Sequence, residues 1–118
     1  MKAYSVILSS ASRTTTQTTT LAVGEERGLV AILNMTVVGT GSVTLSINGY
    51  DRHSGATWLI LAGAAVTTNS TNAYRIYPGL VASANVTAND ILPSELQFVV
   101  TANNANAAIY SLTVSTMI

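Results

Sequence analysis

Period-two alternation of apolar and polar residues is the clearest signal along this chain of 118 residues. From Ser42 to Tyr50, Val43, Leu45 and Ile47 fall on one face of an extended segment, while Ser42, Thr44, Ser46 and Asn48 fall on the other. That pattern predicts a strand with one buried and one solvated face. Helix signals are weak, because Thr, Val, Ser, Asn and Gly dominate and no window sustains apolar residues at helical spacing.

Leu29 to Val38 reads as a longer strand. It is joined to the first by Gly39-Thr40-Gly41, a hairpin loop in which glycine can take left-handed backbone. A polar turn, Asp51-Arg52-His53-Ser54-Gly55, leads into Thr57 to Leu61, so these strands are expected to form a meander. Ala73 to Tyr77, stopped by Pro78-Gly79, follows. Glu95 to Thr101 is then joined through Asn103-Asn104-Ala105-Asn106 to Ala108 to Thr116. With Tyr4 to Ser9 and part of Thr14 to Val23, the count reaches about seven or eight antiparallel strands, the spacing of an all-β single-domain sandwich or jelly roll.

Residues expected in the core or a subunit interface are Leu29, Ile32, Leu33, Val43, Leu45, Ile47, Trp58, Leu59, Ile76, Phe98, Val100, Leu112 and Val114. Leu29 to Leu33, and Leu96 to Val100 around Gln97, carry apolar residues on both faces and predict strands covered on both sides. Residues 29–118 form the sandwich body. Residues 1–28 contribute a strand and the run Thr14-Thr15-Thr16-Gln17-Thr18-Thr19-Thr20, which has high β propensity but little to bury. It suits an edge strand or an extended arm able to bind a partner by strand addition.

Charge changes the picture. Asp, Glu, Lys and Arg make up 8% of the chain and the formal net charge is zero, against an ordinary share of about 25%. A surface of Thr, Ser, Asn and Ala implies that much of it is covered in use. Lys2, Arg13, Arg27, Arg52 and Arg75 are scattered, so no nucleic-acid stripe forms. The apolar stretch after Met1-Lys2 is too short for a signal peptide, and no apolar run suits a membrane helix. A transmembrane barrel is excluded by the short chain and by one Trp with one Phe, too few for aromatic girdles.

Candidate chemistry is sparse. With no cysteine, disulfides and thiolate metal sites are unavailable. His53 lies between Asp51 and Ser54, yet a triad requires its members to converge from different elements, and three neighbours in one turn make Asx-type backbone contacts instead. Glu25-Glu26 and the pair Asp90 and Glu95 read as solvated turn acids, and Asn89-Asp90 alone is a weak cation site. The sequons at Asn34, Asn69 and Asn85 are expected by chance in so Asn- and Thr-rich a chain. The expectation is a protein with no enzymatic activity and no cofactor.

From about Leu33 onward the chain resembles small virion proteins of tailed bacteriophages assigned as capsid decoration (cement) proteins. The resemblance rests on Thr44-Leu45-Ser46-Ile47-Asn48-Gly49-Tyr50-Asp51, Ser54-Gly55 with Trp58, Tyr74-Arg75, Pro78-Gly79-Leu80, Ala88-Asn89-Asp90-Ile91-Leu92-Pro93 and Tyr110-Ser111, specific only in combination. It implies a sandwich or jelly-roll body made in the bacterial cytoplasm and placed on the capsid exterior, bound to the major capsid protein and to itself, with a trimer expected. A neck, tail or fibre role is the alternative within the virion. A carbohydrate-binding module using Trp58, Tyr50 and Tyr74 is the alternative outside it.

Overall fold

The computed structural model describes residues 2–118. Its strands are β1 (Lys2–Arg13), β2 (Gln17–Ala22), β3 (Gly28–Val37), β4 (Val43–Tyr50), β5 (Thr57–Ala62), β6 (Ser70–Ile76), β7 (Thr87–Ala88), β8 (Glu95–Ala102) and β9 (Ala108–Met117). They make a five-stranded sheet in the order β1-β9-β3-β6-β7 and a four-stranded sheet in the order β2-β8-β4-β5. Pairing is antiparallel except between β6 and the short β7. With β7 set aside, β1-β9-β3-β6 over β2-β8-β4-β5 is a jelly roll, in which most links carry the chain from one sheet to the other.

The core lies between the sheets. Leu29, Leu33, Ile76, Leu112 and Val114 enter it from one side and Val43, Leu45, Ile47, Phe98 and Val100 from the other. The alternation of β4 is complete, each inward residue buried and each outward one half-buried. The doubly apolar stretches belong to β3 and β8, both interior strands, whose outward Val30, Ile32 and Val99 are half-buried. Ile32 is therefore not a core residue. It stands on the outer face beside Ala73 and Thr113.

Most of the expected meander is absent. Of its three strands only β4 and β5 pair with each other, whereas β3 lies between β9 and β6 in the opposite sheet. The link 38–42 crosses the gap of about 10 Å between sheets. It is held by the Val38 N–H donating to Asn69 Oδ1 (2.8 Å) and the Gly41 N–H donating to the Val38 carbonyl (2.7 Å). Burial decides the matter: β3 and β4 each carry an apolar face, and opposite sheets let those faces enclose one core.

Trp58 and Leu59 likewise lie outside the core, being 48% and 61% exposed. β5 is an edge strand, and a bulge between Ile47 and Asn48 shifts its register so that of its residues only Leu61 is fully buried. Trp58 lies beside Gly49 next to the 51–56 turn, and Leu59 pairs with Asn48 on the outer face.

Residues 2–27 are not a separate arm. β1 pairs with β9 along most of its length, Thr14, Thr15 and Thr16 span the two sheets, and Thr18, Thr19 and Thr20 lie in β2, in unbroken register with β8. The edge-strand reading of the threonine run is the one that the fold adopts. Half-buried Leu21 and Val23 pack against the core, and the Thr16 hydroxyl accepts the Ala102 N–H (3.1 Å), which fixes the segment.

Candidate interaction surfaces

The turn after β4 is built around Asp51. Its carboxylate accepts the Ser54 hydroxyl (2.7 Å) and the His53 backbone N–H (3.1 Å), and the Ser54 oxygen in turn accepts the Ala56 N–H (3.2 Å). The Ser54 bond, followed by that from His53, holds the Asp51 carboxyl below its ordinary value. Both Ser54 and Asp51 are thus committed to the turn, and His53 is exposed in it. Glu95 accepts two hydrogen bonds from the Arg52 guanidinium, each 3.0 Å, tying that turn to the start of β8. Asn89 and Asp90 accept the backbone N–H groups of Gly79 and Ile91, both at 2.8 Å. No group of three or more His, Cys, Asp or Glu among the described residues could hold a metal ion.

The aromatic residues of the carbohydrate alternative do not converge. Tyr74 is buried in the core, and Trp58 and Tyr50 are adjacent in register to the β4–β5 pair but on opposite faces of it. Another buried tyrosine, Tyr110, has a hydroxyl with no hydrogen-bond partner among the described residues, and burial pushes it up. The Arg13 guanidinium lies 4.8 Å from its ring centroid and donates to the Tyr110 carbonyl (2.8 Å).

The outer faces differ. That of the four-stranded sheet carries Thr18, Thr20, Thr44, Ser46, Asn48 and Gln97 around half-buried Val99, with exposed Leu59 beside Asn48, Glu95 at one end, and Asn48 Nδ2 donating to Gln97 Oε1 (3.3 Å). That of the five-stranded sheet carries exposed Tyr4 and Val6 and half-buried Val30 and Ile32. At its end lies a shallow depression of about 320 Å³ lined by Leu29, Val30, Arg75, Tyr77, Leu80 and Met117.

Charge is divided between the two ends of the sandwich. Register places Lys2 beside Met117, Glu95 beside Ala22, and Arg75 next to the last residue of β6, so all three stand at the end where β9 finishes. The loops 23–27, 51–56 and 89–94 close the same end and hold Glu25, Glu26, Arg27, Asp51, Arg52, His53 and Asp90. Every Lys, Arg, Asp, Glu and His except Arg13 is therefore at one end. The opposite end is formed by 14–16, 38–42, 63–69 and 103–107, made of Thr, Ser, Asn, Gly, Ala and Val and exposed over most of its length. Composition revealed the scarcity of charge but not this partition, which becomes visible only once each loop is assigned to an end.

No protein-family model and no curated protein matches the chain.

Proposed function

We propose that this is a structural virion protein, a decoration (cement) protein that binds the outside of a tailed-phage shell and stabilises the junctions between capsomers. The major capsid protein is its partner, and the binding requires neither cofactor, nucleic acid, membrane nor a catalysed step. The observation that supports this reading most is the end of the jelly roll whose loops carry no charge and whose one charged residue is Arg13. A surface of small, uncharged loops can seat closely on another protein without stripping water from ions. The charged end then faces solvent and keeps the particle dispersed. Repetition over an icosahedral lattice multiplies a modest gain per site, so no deep pocket is needed.

The test uses purified particles with and without this protein. The proposal expects a copy number comparable to that of the major capsid protein and a higher temperature of DNA release when the protein is present. Adding back the His53→Ala variant should restore that temperature, and Asn104→Lys, which places a charge in the uncharged end, should not. Equal release temperatures would reject the clamp, and a copy number of only a few would favour the neck, tail or fibre role.

A further inference from the structure

Sheet edges are where a jelly roll is open to other chains, and the edges of this one are unequal. β1 is interrupted by register shifts between Val6 and Leu8 and between Leu8 and Ala11, and β5 by the bulge opposite Ile47 and Asn48. β7 closes the end of β6 over Arg75 and Ile76. β2 has none of these devices. It runs from Gln17 to Ala22 in unbroken register with β8, and its sequence, Gln-Thr-Thr-Thr-Leu-Ala, contains no charge and no proline. Charges, bulges, prolines and covering strands are the means by which edges avoid pairing.

The direction of the open hydrogen-bonding groups follows from the ladder. The Val23 N–H donates to the Ser94 carbonyl (2.8 Å), continuing the register in which Gln17 faces Val100 and Leu21 faces Leu96. Hydrogen-bonded pairs alternate along an antiparallel ladder, so Gln17, Thr19 and Leu21 bond to β8 while the N–H and C=O groups of Thr18, Thr20 and Ala22 point away from it. All three of these residues are exposed.

We propose that β2 is the self-association edge of this protein, pairing antiparallel with β2 of a second copy about a twofold axis at Thr20. In that register Thr20 faces Thr20 of the other copy and Thr18 faces its Ala22, giving about six backbone hydrogen bonds. The two four-stranded sheets become one of eight. Half-buried Leu21 comes opposite Thr19 of the other copy, which adds cover to its side chain. Antiparallel pairing also sets the charged end of each copy beside the uncharged end of the other, so like charges are kept apart. This pair is a dimer where the phage resemblance implies a trimer, since an edge complementary to itself closes at two copies. The inference concerns the isolated protein and stands apart from the capsid reading.

The experiment is sedimentation equilibrium on the full chain and on Thr20→Pro. Proline at this position removes an N–H that β8 does not use, so the intramolecular ladder is kept. The wild type should be a dimer, and Thr20→Pro should weaken it about a hundredfold while the circular dichroism spectrum stays the same. Thr20→Lys, which adds an edge charge without touching the backbone, should act in the same direction should the proline variant fold poorly. Hydrogen exchange supplies an independent reading: the amides of Thr18, Thr20 and Ala22 should become more protected as wild-type concentration rises. A wild-type monomer at high concentration, a trimer, or a dimer unaffected by both variants would overturn the proposal.

Discussion

The indole of Trp58 fills the space in which a side chain at Gly49 would stand: a Cβ there would fall on its six-membered ring. Because Trp58 is about half exposed, an added methyl group can drive the ring outward at a limited cost. Gly49→Ala should lower stability by about 1–3 kcal/mol, as overpacking does, and shift the tryptophan emission to the red. Denaturant unfolding followed by fluorescence checks both. An unchanged midpoint together with unchanged emission would contradict the packing.

The same pair shows what was legible in the sequence. Alternation located β4 because one face of that strand is buried along its whole length. It could not place Trp58, since burial there depends on a bulge and on the end of the sandwich, neither of which is written into the local pattern. Gly39-Thr40-Gly41 has the residues of a hairpin loop, yet a link of this length can either turn a strand back or carry it to the facing sheet. Only the competition of β9 and β6 for the edges of β3 resolves the choice. That Asp51, His53 and Ser54 share one hydrogen-bonded turn was readable from their spacing. The separation of charge between the two ends was not, because it depends on topology.

Core and edge aromatics should therefore respond differently to truncation. Phe98, buried from the middle of β8, should cost about 3–5 kcal/mol on replacement by Ala. Trp58→Ala should cost about 1–2 kcal/mol, since much of its ring is already in water. Thermal or chemical unfolding of the two variants side by side measures the difference, and equal losses would argue against the placement of Trp58.

Tyr110→Phe removes a buried hydroxyl that has no partner among the described residues. An unsatisfied buried polar group costs about 1–3 kcal/mol, so the variant should be as stable as the wild type or more so by about 1 kcal/mol. The Arg13 contact with the ring is kept, because phenylalanine presents the same face. A clear loss of stability would mean that the hydroxyl has a partner.

Acid should loosen the turn after β4. The Asp51 carboxyl is held below its ordinary value of 3.8, so its contribution is fully present above that value and is lost as pH falls through the lower folded value. Ser54→Ala removes the hydroxyl that contributes most to the shift. In that variant the Asp51 titration, followed by carboxyl NMR, should move up toward its ordinary value, and a titration curve superimposable on the wild type would contradict this account of the turn.

Binding through the uncharged end should respond weakly to salt. Screening lengths fall from about 8 Å at physiological ionic strength to about 3 Å at 1 M, but screening acts on charges, and this end has only Arg13. The Arg13 guanidinium is occupied by the carbonyls of Ser9 and Tyr110 and by the Tyr110 ring. Attachment to particles should accordingly change by no more than about threefold across that range. Replacing Arg52 by Ala, which opens the ion pair of exposed Arg52 with largely covered Glu95 at the other end, should leave attachment as it was. Thr40→Lys in the loop between β3 and β4 should weaken it and introduce a salt dependence that the wild type lacks. Co-sedimentation of each variant with particles over a salt series separates the possibilities: steep salt dependence in the wild type, or loss of binding with Arg52→Ala, would place the docking surface at the charged end instead.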